Sequence, residues 1–479
     1  MRLGAASGVL FCIVPRRQMA GKSATLLPSI PMKALFRSLL ASALLTTASF
    51  SALGQSAAPG AAVPAPAADT TPITLDASLI NAVSTQSFAE FRTAVQPLVK
   101  QMASKKVVAL GEGTHGTAEF YKLRFWLTRI LMEEYGFSQV AFENDYTDTY
   151  LLNEGLRQPN ATVEPLMKAH LYSIWQNQET AELLTWVQAH NRTHRRQVQV
   201  SGIDAAYVLP EARELSTLAA RYPKSGLREL TAQLTKHALL QDSIWDNINR
   251  KGFKVPRRRW LDGGLEGYYT AEKIQKSLPT ARLPRKQRKL AEGFALDAKM
   301  AFDLFYQFKV NKRDVSRDSL MAEMTKFLVR DKGAKVIVWA HDAHVSRKIA
   351  MAEDPGNGGG TGAFLERMFP GQYFVLGTST AIGTFAATTD GHITRTSPMA
   401  SYPLDAPVAG SWEASLGQVS APVFYLSTQQ LGQQNLRRPL RFVGYGPNSG
   451  KDSYSNFKLT EAFDALLFVR QTTAATPLR

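Results

Sequence analysis

Residues 107–116 read VVALGEGTHG, four apolar residues that run into a glycine-flanked turn carrying Glu112 and His115. A short continuous apolar run is the pattern of a strand buried on both faces, and the stretch from Ala118 to Glu134 behind it has helical spacing. The same unit recurs outward from this point. Gln139-Val140-Ala141-Phe142 leads into Glu143-Asn144-Asp145, Val198-Gln199-Val200-Ser201 into Gly202-Ile203-Asp204, and Val336-Ile337-Val338-Trp339 into His341-Asp342-Ala343-His344. Tyr373-Phe374-Val375-Leu376 and a closing run from Phe463 to Val469 add two further strands. The alternation predicts an α/β fold with a mainly parallel central sheet flanked by helices. Between Glu211 and Lys332 the pattern is helical with Lys/Arg-rich faces, so a helical insertion or cap is expected at about 211–332.

The first seventy residues do not read as folded protein. From Met32 the text is MKALFRSLLASALLTTASFSALGQ: Lys33 and Arg37 form a basic start, Ser38 to Phe50 a short apolar run, and Ala52-Leu53-Gly54 a small-residue cleavage site. Residues 1–54 are therefore expected to be an N-terminal extension and signal peptide, with Met32 the expected start, and the protein to be exported to the periplasm or medium. Residues 55–72, rich in Ala and Pro, read as a tether, and 73–475 as the folded domain. The only cysteine, Cys12, lies upstream of the cleavage point, which excludes disulfides and thiolate chemistry from the mature form. Cleavage would lower the formal charge from +16 to +10. Basic runs at 250–259 and 282–289 suit association with an anionic envelope surface or ordinary solvated helix faces, and no nucleic-acid-binding pattern accompanies them.

In open parallel sheets, ligands sit beyond the carboxyl ends of the strands. Every unusual polar cluster of this chain falls at such an end, and three of its eight histidines, His115, His341 and His344, occupy two of these loops. A lone histidine there is more often a hydrogen-bonded structural residue. Three of them with Glu112 and Glu143 point to a site. There is no Gly-x-Ser-x-Gly elbow, and Gly446-Pro447-Asn448-Ser449-Gly450-Lys451-Asp452 has the wrong spacing for a phosphate loop and reads as a turn. The glycine-rich 356–362 stretch reads as a mobile loop or a lid over the site.

The segments GEGTHGTAEFYKLR (111–124), FEN (142–144), RDSLMAE (317–323) and WAHDAHVS (339–346) together resemble the erythromycin esterase family, over about Val107 to Val469. Supporting matches are Trp175, Glu179, Trp186 and Gly202-x-Asp204; Asp342 departs from the Asn more usual between the two histidines. The resemblance implies hydrolysis of a small-molecule ester or macrolide lactone without a covalent intermediate and without a cofactor. It implies His115 as general base, Glu112 as its orienting partner, Arg124 as carbonyl-polarising or oxyanion group, and Glu143, His341 and His344 as proton relays or leaving-group donors. The family's link to macrolide resistance leaves the substrate open. Two other readings stand beside it: a metal-dependent hydrolase using the same Glu/His set for zinc or manganese, and an envelope protein that binds haem or a polysaccharide in the same cleft.

Overall fold

The apolar runs become neighbouring strands in the computed structural model, which describes residues 70–312, 317–348 and 360–478. In chain order these are β1 (Asn81–Ala82), β2 (Val107–Glu112), β3 (Gln139–Asp145), β4 (Gln199–Asp204), β5 (Val336–His341), β6 (Tyr373–Ala387), β7 (Ala400–Pro403), β8 (Val423–Ser427), β9 (Arg438–Arg441), β10 (Tyr454–Phe457) and β11 (Ala465–Thr472). The large sheet has the order β1-β8-β11-β6-β2-β5-β3-β4, with β7 on β6, while β9 and β10 form a separate hairpin. The six strands from β11 to β4 are all parallel. Only β1, β7 and β8 join antiparallel, at the margins.

Helices cover both faces, which is why β2 and β5 are buried at every position and read as unbroken apolar runs. The expected signal segment, most of the tether and most of the glycine-rich loop lie outside the described residues. Among the described residues, no helix is long and apolar enough to cross a membrane.

The helical insertion is present but shorter than expected. Helices Leu209–Arg221, Arg228–Trp245, Arg257–Ser277 and Arg285–Tyr306 enclose a core of their own, built on Leu215, Leu234, Ile274, Phe294 and Phe302. The next helix, Arg317–Leu328, is instead part of the main body. Its Met321, Ala322, Met324 and Leu328 pack in one cluster with Val336 and Val338 of β5, so the cap ends before residue 317 rather than at 332. A polar-faced helix reads alike in sequence whether it caps or crosses over. Its packing partner decides.

Candidate active site

Strand β2 leaves the sheet toward β3 on one side, and its parallel neighbour β5 leaves toward β6 on the other. Between two such strands the loops part and open a crevice at their carboxyl ends. The register sets Glu112 opposite His341 at that point. The turn after Glu112 is held by backbone on three sides: His115 N–H donates to Val443 O at 3.0 Å, and Gly116 O accepts from Ala386 N and Ala475 N, both at 2.8 Å. Gly116 has φ +71°, and a Cβ there would lie 2.0 Å from Ala386 O, so no other residue fits this turn.

Two networks of side chains result. In the first, Glu112 Oε1 accepts from His115 Nδ1 at 2.7 Å and Glu112 Oε2 from Arg124 Nη2 at 2.6 Å. Glu112 and Arg124 are fully buried, and the guanidinium packs against the rings of Trp339, Tyr121 and Trp175 at 4.6, 5.0 and 5.7 Å. The carboxylate fixes the proton on His115 Nδ1, which leaves Nε2 as a lone-pair acceptor with no hydrogen bond from the described residues. Arg124 therefore does not present its charge to a substrate; its charge is spent on Glu112.

The second network joins β3, β4, β5 and the helix after the cap. Arg317 Nη2 donates to Glu143 Oε1 at 2.7 Å and to Asp204 Oδ2 at 2.5 Å, and its Nε donates to Asp204 Oδ1 at 2.8 Å. Arg317 Nη1 lies 3.3 Å from His344 Nε2, and His344 Nδ1 is 2.7 Å from Asp318 Oδ1. With a third of its side chain exposed (34%), Arg317 is the open cation of the site. Burial disfavours charge on His344, but the carboxylates of Asp318 and Glu143 outweigh it and hold its pKa above the ordinary imidazole value. Burial likewise acts against the Glu143 and Asp318 carboxylates, yet His344 leads the groups that draw both below the usual range.

The His341 ring packs at a tilt against that of His115 with centroids 4.7 Å apart, so the two networks touch. It does not fit the proton-relay role the sequence suggests. Its Nε2–H donates to Val443 O at 3.0 Å and its Nδ1 accepts from Ala343 N at 3.3 Å, which leaves neither nitrogen free. Burial, reinforced by His115 and His344, pushes its pKa well below the usual value, so it is a neutral packing partner. Its own N–H donates to Glu143 Oε2 at 3.1 Å.

Asp342 points away from the crevice, beneath β2, where a Cβ on Gly111 would come within 1.8 Å of its Oδ1. Its Oδ2 accepts from Thr378 N at 2.9 Å, and its Oδ1 is buried without a partner among the described residues. Burial raises its pKa well above the ordinary value. A raised carboxyl pKa means that the folded chain binds a proton which the unfolded chain releases, so stability falls as pH rises above the ordinary carboxylate range. Asp342→Asn is expected to raise the melting temperature at pH 8 and to change it little at pH 4. A lower melting temperature at pH 8 would count against a neutral Asp342.

Of the supporting sequence matches, Trp175 walls in Arg124, while Glu179, like Glu119 of the 111–124 segment, serves the fold: their carboxylates accept from Thr476 and Thr473 and hold the last residues of the chain. Among the described residues, no three His, Cys, Asp or Glu side chains are grouped to hold a metal ion.

A family model described as Erythromycin esterase matches residues 132–472. Glu112, His115 and Arg124 lie ahead of that match, so their likeness rests on the GEGTHG motif and its geometry. The Putative hydrolase YbfO of Bacillus subtilis is 24% identical over 354 residues, covering 69% of this chain and 75% of that protein. Erythromycin esterase type I of Escherichia coli is 23% identical over 276 residues, covering 52% of this chain and 64% of that protein. The solved structure of a mutant of the erythromycin esterase EreC in its open conformation aligns with a TM-score of 0.63 at 17% identity, over 83% of this chain and 98% of that one. The fold is shared.

Proposed function

The chain belongs to the erythromycin esterase family and is a hydrolase, and on that footing we propose that it cleaves a carboxylic ester or lactone with water activated by His115, without a covalent intermediate. The observation that carries this reading is the free Nε2 of an imidazole whose Nδ1 is bound to a buried carboxylate. That is the orientation of a catalytic base whose proton acceptor faces the substrate. Water at Nε2 gives its proton to His115, and its oxygen attacks the carbonyl carbon. Glu112 then faces the imidazolium, and Arg124 keeps Glu112 oriented and balanced. Arg317 and the cationic form of His344, both beside Oε1 of Glu143, polarise the carbonyl and face the oxyanion. Collapse breaks the acyl C–O bond, and the proton held on His115 passes to the departing alkoxide.

Purified protein is expected to release acid and alcohol, or the opened hydroxy acid, from members of a panel of aryl esters, small lactones and macrolides. Prior treatment with a chelator should leave the rates unchanged. Silence across the panel would remove the ester reading, and loss of activity on chelation that zinc or manganese restores would return the chemistry to a metal.

Because Asp318 and Glu143 hold the proton on His344, activity should fall on the alkaline side only above the ordinary imidazole range. Asp318→Asn removes one of these carboxylates, so the alkaline limb of kcat against pH should move to lower pH. An unmoved limb would exclude His344 as its origin.

A further inference from the structure

The cap carries a face that catalysis does not use. Among the described residues only six large hydrophobic side chains are well exposed, and three of them, Tyr269 (39%), Phe308 (38%) and Val310 (43%), lie on two elements of the cap. Tyr269 lies on helix Arg257–Ser277 along the same stripe as Arg258 and Asp262, at spacings of eleven and seven residues. Phe308 and Val310 flank Lys309 in the short π-helical turn Gln307–Asn311, and Lys309 forms an ion pair with Asp262. Tyr306, just ahead of this turn, packs edge-on against Tyr269 with ring centroids 6.0 Å apart. An open hollow of about 470 Å³ between the two elements is lined by Arg257, Arg258, Leu261, Asp262 and Lys309.

The charge around these apolar groups is mainly positive, with Glu266 the exposed acid between Asp262 and Tyr269 on the helix. Arg258 is 96% exposed, and Arg259, the next residue of the helix, and Lys312, whose Nζ donates to Lys309 O, are exposed as well. The one acid in the hollow, Asp262, is already shared by Arg258 and Lys309. The other basic run, at 282–289, is partly absorbed by the fold: Arg288 caps the carbonyls of Ala281 and Leu283, and Lys289 pairs with Asp331.

We propose that this face of the cap docks on an anionic lipid bilayer. Phe308, Val310 and Tyr269 enter the boundary between headgroups and acyl chains, while Arg258, Arg259 and Lys312 meet the lipid phosphates. Exposed aromatic and aliphatic groups ringed by cations suit a surface that is apolar beneath a layer of negative charge. A soluble polyanion would match the cations and leave the three apolar groups in water.

The test is co-sedimentation of the full chain with vesicles of equal parts phosphatidylglycerol and phosphatidylcholine, comparing the wild type with Phe308→Ser/Val310→Ser and with Arg258→Glu/Lys312→Glu. The wild type should bind, and binding should weaken as NaCl rises from about 0.05 M to about 0.5 M. The charge-reversal variant should bind at least about tenfold more weakly, and the serine variant should also lose binding. Both should keep the wild-type circular dichroism spectrum and melting behaviour. Comparison within one chain length keeps any contribution of the apolar run at 38–50 common to all three proteins. Equal binding of the three, absence of binding to these vesicles, or retention on heparin without vesicle binding overturns the proposal.

Discussion

Replacing His115 by alanine is expected to lower turnover by about 10²–10⁴-fold, the usual worth of a positioned general base. The imidazole is the crevice-facing end of the first network, and its Nε2 is the one nitrogen of the His115–His341 pair with no partner among the described residues. Without it, Glu112 and Arg124 still pair, so the melting temperature should change little and the loss should fall on kcat rather than KM. His190→Ala is the control. His190 stacks on His194 at 4.0 Å in the helix Gln178–Thr193, away from the crevice, and its replacement should leave the rate near wild type. Retention of more than about a tenth of the activity in His115→Ala would remove it as the base.

Arg124→Ala is expected to cost about 3–5 kcal/mol of folding stability, because it leaves the fully buried Glu112 carboxylate without its counterion. It also opens a void among Tyr121, Trp175 and Trp339, where the guanidinium lay. Urea denaturation should show the midpoint moving sharply downward, with activity falling in the protein that remains folded because Glu112 no longer holds His115 in place. The paired change Glu112→Gln/Arg124→Met removes both charges and should be less destabilising than the sum of the two single changes. An Arg124→Ala protein with an unshifted midpoint would mean that the pair is not buried in solution.

The parallel strands were legible because each is covered on both faces. At 107–110, 140–142, 336–339 and 373–376 no polar residue interrupts the run. Strand β7 gives no such signal, since three of its four residues are exposed. Strand β8 spans only five residues in a stretch rich in Gly, Pro and Ser, and its pairing to β1 and β11 comes from opposite ends of the chain. For the site, position at a strand end was enough to single out Glu112, His115, Glu143 and His341. Their partners were not readable. His341 is tied to the backbone of Val443, 102 residues away, and Arg317 reaches Glu143 and Asp204 across 174 and 113 residues. No local pattern encodes contacts of that range. The same holds for Arg124: the motif places it on the helix that follows His115, but its enclosure is made by Trp175 and Trp339 from other elements.

Water acting directly, without an acyl-enzyme, is tested most closely by rapid-quench measurement of both products of an open-chain ester, with enzyme in large excess over neither partner and the intact protein mass read at each time. Direct attack predicts that acid and alcohol appear together from the first turnover, with no burst and no added mass on the chain. A burst of alcohol ahead of acid, or a protein species heavier by the acyl group, would contradict the role assigned to His115 and its water.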